Sequence, residues 1–178
     1  MEAKVVEDFL EPDEFERIKT LMASDTFPWY YNDHIIRPGP QLFESLECEE
    51  KDNWQFIHLF YSGDRINSDY FEALLPVIKK IDFEIAPAGV RALVRIKANC
   101  GVRTEEPVLH GHHVDFDYEG CTTSILYVNT NNGFTQFKTG EKVVSVANRL
   151  VTFPSSTYHS GVSCTDEQVR MVINFNYF

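Results

Sequence analysis

Cysteine, positive charge and long apolar runs are all scarce in this sequence, and each shortage removes a class of protein. The four cysteines, Cys48, Cys100, Cys121 and Cys164, form no C-x-x-C pair. Neither a zinc ribbon nor a disulfide-dense secreted scaffold fits, and reduced structural thiols are expected. Lysine and arginine together number 16 against 27 aspartates and glutamates, a formal charge of -11. Such a chain repels phosphate backbones, which argues against general nucleic-acid binding. No apolar run nears the ~20 residues of a membrane span. The opening MEAKVVEDFLEPDEF is acidic where a secretory signal is basic and then apolar. A cytoplasmic protein with no membrane partner is expected.

What is present suffices for one core. The chain has 178 residues, 43% hydrophobic and 13% aromatic, which suits a single domain spanning 1–178 that buries about 70% of its unfolded surface. A helical part is expected over about 1–85. Pro12 fits a helix's first turn, and Phe15, Ile18, Leu21 and Met22 recur on one face of a helix that ends before Ser24. A second helix carries Phe71, Leu74, Leu75 and Ile78, opened by Asn67 or Ser68 and kinked at Pro76. Between them, PWYYNDHIIRPGPQ (28–41) reads as a loop, and WQFIHLFY (54–61) as a buried strand.

From about residue 90 the period changes to two. RALVRIKAN sets Ala92, Val94, Ile96 and Ala98 on one face and Leu93, Arg95, Lys97 and Asn99 on the other. Further strands are TSILYV (123–128), 134–137, KVVSVA, RLVTF and RMVINFNYF, with turns at Asn132-Gly133 and Thr139-Gly140. The fold class is therefore α+β, mainly β: a sandwich or barrel over about 90–178 with the helices on one outer face. Apolar strand faces meet the helices and mixed faces point inward.

Three features carry chemistry. In LHGHHVDFD, His113 and Asp115 stand one residue apart, although six histidines and eleven aspartates give roughly 0.4 such pairs by chance. His159 follows in TYHSG after the strand RLVTF, and Arg170 lies on the mixed face of the last strand. Two imidazoles and a carboxylate are the donor set of a facial triad that leaves positions open on iron. A charged arginine inside a barrel is costly unless an anion meets it. A metal end and a cationic end together imply a small dicarboxylate held between them.

In order along the chain come H-x-D (113–115), I-L-Y-V-N (125–129), G-x-T-x-F (133–137), V-x-F (151–153), H-x-G (159–161) and R-x-V-I-N-F (170–175). This series resembles the double-stranded β-helix core of Fe(II)/2-oxoglutarate-dependent oxygenases, most of all the prolyl-4-hydroxylase type. The resemblance covers about 90–178. It implies a jelly-roll core, iron on His113, Asp115 and His159, and Arg170 on the distal carboxylate of 2-oxoglutarate. Tyr127 would touch the same carboxylate, and Lys97 stands where relatives carry another cosubstrate tyrosine. Asn132 and Asn148 replace family glycines, and asparagine tolerates the left-handed backbone such turns need.

The implied activity is hydroxylation by an Fe(II) dioxygenase that consumes 2-oxoglutarate and dioxygen and yields succinate and carbon dioxide, with ascorbate as an optional reductant. The substrate is a peptidyl side chain such as proline, or a small molecule. The competing reading is a catalytically silent barrel that binds a metal or 2-oxoglutarate. Arg95 and Lys97 are expected to face the interior, either meeting an anionic substrate or the cosubstrate, or paired by Glu105 or Glu106. His110 and His112 read as loop or supporting residues, and His34 and His58 as ordinary packed or surface residues. The segment 100–111 is expected to be a mobile flap.

Overall fold

Period-two alternation does become sheet. The structure, a computed structural model, describes residues 3–36 and 47–178; residues 37–41 of the loop expected at 28–41 lie outside these. Among the described residues, ten strands form two antiparallel sheets. In chain order they are β1 (Lys4–Val6), β2 (Tyr30–Asn32), β3 (Gln55–Ser62), β4 (Leu93–Val102) and β5 (Thr122–Tyr127). Then come β6 (Phe134–Phe137), β7 (Lys142–Val144), β8 (Leu150–Pro154), β9 (His159–Val162) and β10 (Val169–Tyr177). The larger sheet runs β1-β8-β5-β10-β4-β3-β2 and the smaller β7-β6-β9.

Helix α1 (Pro12–Ala23) has proline in its first turn and buries Phe15, Ile18 and Met22. The second helical segment differs from the sequence expectation. A 3-10 turn (Phe71–Leu74) leads into helix α2 (Leu75–Lys80) and a π turn (Ile81–Ile85). Pro76 does not kink a helix interior; it sits at the start of α2, where its missing N–H has no helical partner to lose.

The larger sheet has two faces of different character. Ile96, Ala98, Ile173, Phe175 and Tyr177 share a buried cluster with Phe15, Ile18 and Met22 of α1 and Val77 of α2. On the opposite face Ile125, Tyr127, Val151, Phe153 and Val172 pack with Phe137 and Val143 of the smaller sheet. One expectation about β4 fails at its first residue. Leu93 packs with the helix-side cluster rather than inward with Arg95, because a bulge pairs Asn176 with Arg95 and Tyr177 with Leu93. Val94 becomes the extra residue and the alternation resets there. Ala92 lies before the strand and is exposed.

Two of the expected turns work differently from each other. Asn148 does adopt the left-handed region, φ 63°, and its amide ties down the N-terminal segment: Nδ2 donates to Leu10 O and Oδ1 accepts from Leu10 N, both at 2.8 Å. Asn132 is not left-handed. Its neighbour Gly133 is needed for space, since a Cβ there would lie 2.7 Å from Arg170 Cδ and 2.9 Å from Val162 O. All four cysteines are free thiols, and burial pushes Cys100 up to about 12.

Candidate functional site

A backbone exchange between two distant segments builds the centre of the site. His113 and His159 exchange N–H···O bonds in both directions at 2.9 Å, which brings their rings to 4.7 Å. His159 opens β9, although the sequence had placed it just beyond a strand. Asp115 follows His113 by two extended residues, with its N–H on Ser155 O at 3.1 Å. One donor atom from each of His113, Asp115 and His159 falls within 4.8 Å of the others.

The tautomers of both imidazoles are fixed by their second nitrogens. His113 Nδ1 donates to Gly111 O at 3.3 Å and His159 Nδ1 to Thr157 O at 2.9 Å. Each Nε2 is left as an unprotonated acceptor, and a backbone carbonyl behind Nδ1 is a common second partner of metal-ligating histidines. Burial foremost, then the neighbouring His159, lowers His113 to about 3, so it stays neutral at any ordinary pH. The donor set and its tautomers fit a divalent transition metal.

Asp115 has partners that the sequence reading did not identify. Arg95 Nη2 donates to Oδ1 at 2.7 Å, while Thr123 Oγ1 and Asn176 Nδ2 donate to Oδ2 at 3.0 and 3.1 Å. Its side chain is 5% exposed. Burial alone would raise the carboxyl; Arg95 first, then the two histidines and Asn176, outweigh it and hold Asp115 below the ordinary carboxylate range. A carboxylate offers about four lone-pair sites, so these three bonds leave room on Oδ1 for a metal. Arg95 thus faces inward as expected, but its partner is Asp115 and not Glu105 or Glu106. Its guanidinium also lies 4.8 Å from the Phe116 ring centroid. The polar inward face of the last strand could have flagged Asn176; Thr123 had no local signal.

One cavity of about 80 Å³ joins this centre to Arg170, and Lys97, Asn99, Thr135, Gly161 and Asn174 are among the residues that line it. Arg170 Nε donates to Ser145 Oγ at 2.9 Å and Nη2 to Thr135 Oγ1 at 3.3 Å. No carboxylate among the described residues pairs with it. Gly133 and Gly161 flank the side chain; a Cβ on Gly161 would stand 3.6 Å from Nη1. Tyr127 is brought close but not into the cavity. Fully buried, it donates to Thr135 Oγ1 at 2.8 Å, and the Arg170 guanidinium lies 5.6 Å from its ring centroid. The position supports Arg170 from behind.

The other histidines are accounted for by packing. His110 Nδ1 donates to Gly161 O, His112 contacts Glu47, and His58 bridges Pro28 O and Ser68 Oγ. His34 lies beside Asp33. The segment expected to be a mobile flap is tied down along its length. Arg103 N and Thr104 N bond Gln168 O and Cys164 O, and Ser163 Oγ meets both Thr104 Oγ1 and Val108 N.

No family model matches the sequence and no curated protein does so either. Solved structures do match in fold. A viral collagen prolyl hydroxylase from Paramecium Bursaria Chlorella virus-1, in a 2OG complex, superposes with a TM-score of 0.61 at 12% identity over 99% of this chain and 96% of that one. A 2OG-Fe(II) oxygenase family oxidoreductase from Burkholderia pseudomallei gives 0.64 at 13% identity, over 98% and 84%. The non-heme alpha ketoglutarate dependent carbocyclase SnoK from nogalamycin biosynthesis gives 0.64 at 13%, over 98% and 78%. At such identities the likeness is one of architecture: this chain has the jelly-roll fold found in prolyl hydroxylases and other 2OG-Fe(II) oxygenases.

Proposed function

We propose that the chain is a single-domain Fe(II)- and 2-oxoglutarate-dependent dioxygenase that hydroxylates a carbon of its substrate and releases succinate and carbon dioxide. The observation that carries this reading is the cavity itself: two imidazoles with free Nε2 atoms and an ionised carboxylate at one end, and at the other an arginine without an acidic partner among the described residues. His113, Asp115 and His159 would hold the metal, and Arg170 the distal carboxylate of the cosubstrate. Iron bound there would supply the oxidising power, drawn from dioxygen and the oxidative decarboxylation of 2-oxoglutarate.

The chain's own work is placement. Gly111 and Thr157 carbonyls orient the imidazoles, and Arg95, Thr123 and Asn176 fix the rotamer of Asp115. Ile125 and Val172 line an apolar wall that restricts water beside the reacting groups. Tyr127 and Thr135 hold Arg170 at the cavity end, and the N-terminal helices serve as the outer cover of the larger sheet. For the substrate, a peptidyl side chain such as proline comes first, by analogy with the prolyl hydroxylase neighbour, and a small molecule second, by analogy with the carbocyclase.

The test is anaerobic loading with Fe(II) and 2-oxoglutarate, followed by air and quantification of succinate. Oxygen-dependent succinate release is expected, with ascorbate increasing the number of turnovers. Binding of both ligands without succinate would instead identify a silent metal- and 2-oxoglutarate-binding barrel.

A further inference from the structure

Glycine at position 101 answers neither a backbone requirement nor a close approach. Its φ lies outside the left-handed region, and a Cβ added to it would meet nothing within 4 Å. The missing side chain leaves space instead. Gly101 follows Asn99 on the inward face of β4 and pairs with Arg170 across the ladder, so the strand sets no side chain beside the arginine. That space belongs to a second cavity, of about 60 Å³. Ile35, Gln55, Asn99, Gly161 and Arg170 line both it and the first cavity. The two are chambers of one pocket, and Arg170 stands at their junction.

The guanidinium has capacity left at that junction. Nε and Nη2 are spent on Ser145 and Thr135, whereas Nη1 bonds no described residue and lies beside Gly161, which borders both chambers. The hydroxyls of the far chamber are already committed: Thr104 Oγ1 and Ser163 Oγ meet at 2.6 Å, and Ser163 also accepts from Val108 N. Trp54, Val102 and Val162 add apolar wall. A water-sized group needs only roughly 10–15 Å³ of such space, so the far chamber has room for an added methylene, and its apolar wall favours burying one. An arginine reachable from two sides does not fix the length of the dicarboxylate it holds.

We propose that the pocket also takes 2-oxoadipate, the 2-oxo dicarboxylate one methylene longer, as an alternative cosubstrate whose distal carboxylate meets Arg170 Nη1 from the far chamber opened by Gly101. This inference rests on the reading of the near chamber as a 2-oxoglutarate site. Its chemistry balances as it does for the shorter acid. The C1–C2 bond breaks and C1 leaves as carbon dioxide; one atom of dioxygen enters the new carboxylate and the other enters the substrate C–H bond as hydroxyl. Glutarate takes the place of succinate.

The experiment is anaerobic calorimetric titration of Mn(II)-loaded protein with 2-oxoglutarate and with 2-oxoadipate, followed by product analysis of the Fe(II) protein in air. Wild type is expected to bind the two acids with affinities within about tenfold of each other, since one buried methylene is worth only about fourfold. Gly101→Leu fills the far chamber and should weaken 2-oxoadipate at least tenfold relative to 2-oxoglutarate, with Gly101→Ala intermediate. Both replace glycine in a strand interior, where a side chain is no burden to the fold, and circular dichroism checks each. Wild type that binds 2-oxoglutarate but binds 2-oxoadipate more than tenfold more weakly overturns the proposal. So does a Gly101→Leu variant that leaves the ratio of the two affinities unchanged. Binding of 2-oxoadipate without glutarate release, where 2-oxoglutarate yields succinate, overturns its role as cosubstrate. In each of these cases the 2-oxoglutarate reading stands; if wild type binds neither acid, that reading fails and the proposal with it.

Discussion

Removing the guanidinium of Arg95 should expose how much Asp115, a proposed metal ligand, depends on its neighbours. Arg95 is 22% exposed and Asp115 5%, and they meet at 2.7 Å; Arg95 Nε also donates to Asn176 Oδ1 at 3.1 Å. Methionine keeps an apolar stem against Phe116 and deletes the charge. Breaking one side of a buried pair costs about 3–5 kcal/mol because the other charge is left uncompensated. Thr123 and Asn176 still donate to Asp115, so the lower end, about 3 kcal/mol, is expected. For a domain of this size that is about 6–12 °C in Tm. Thermal unfolding of metal-free Arg95→Met, Asp115→Asn and the double variant provides the assay. The double variant should recover most of the loss, since neither charge is then stranded. Strictly additive losses, or a single variant within 1 °C of wild type, would refute the view that Arg95 holds Asp115.

Three further outcomes follow from the geometry. Arg170→Ala should raise the apparent 2-oxoglutarate constant at least tenfold while leaving metal affinity intact, read by titration with each ligand. Gly133→Ala should cost about 1–3 kcal/mol in chemical denaturation and weaken 2-oxoglutarate binding, because the new Cβ meets Arg170 Cδ at 2.7 Å and cannot displace the Val162 carbonyl cheaply. A pH series tests Lys97, whose folded pKa falls from 10.5 to about 8. Its charged form is disfavoured in the ligand-free fold below pH 8, and that cost disappears as pH rises towards 10.5, adding up to about 3 kcal/mol of stability. Buried thiols such as Cys100 push the other way above their unfolded pKa, so the quantity to read is the difference between wild type and Lys97→Met, in which the thiols cancel.

Much of the sheet was legible because strands of this kind announce themselves by period. The inward and outward sets of β10 separate as Arg170, Val172, Asn174 against Met171, Ile173, Phe175. Elements without that signal were missed. β9, His159–Val162, is short and holds Ser160 and Gly161, and β1 and β2 are three-residue edge strands. The bulge that redirects Leu93 depends on tertiary pairing with Asn176 and Tyr177 and leaves no mark in RALVRIKAN. At the site, the three donor residues could be named from spacing and order, while their supports could not. Asn176 reaches Asp115 from 61 residues away, and Tyr127 turned out to stand behind Arg170 because its hydroxyl is committed to Thr135. The expected flap is instead fastened through Ser163, a residue that nothing in CGVRTEEPVLHG anticipates.

The metal centre is the claim on which the rest depends, and Mn(II) titration of metal-stripped protein by calorimetry tests it most directly. The account predicts one ion per chain in wild type. Asp115→Ala and His159→Ala, each folded by circular dichroism, should lose that binding, because each removes one of three protein ligands. Unchanged stoichiometry and affinity in both variants would place the metal elsewhere and contradict the assignment.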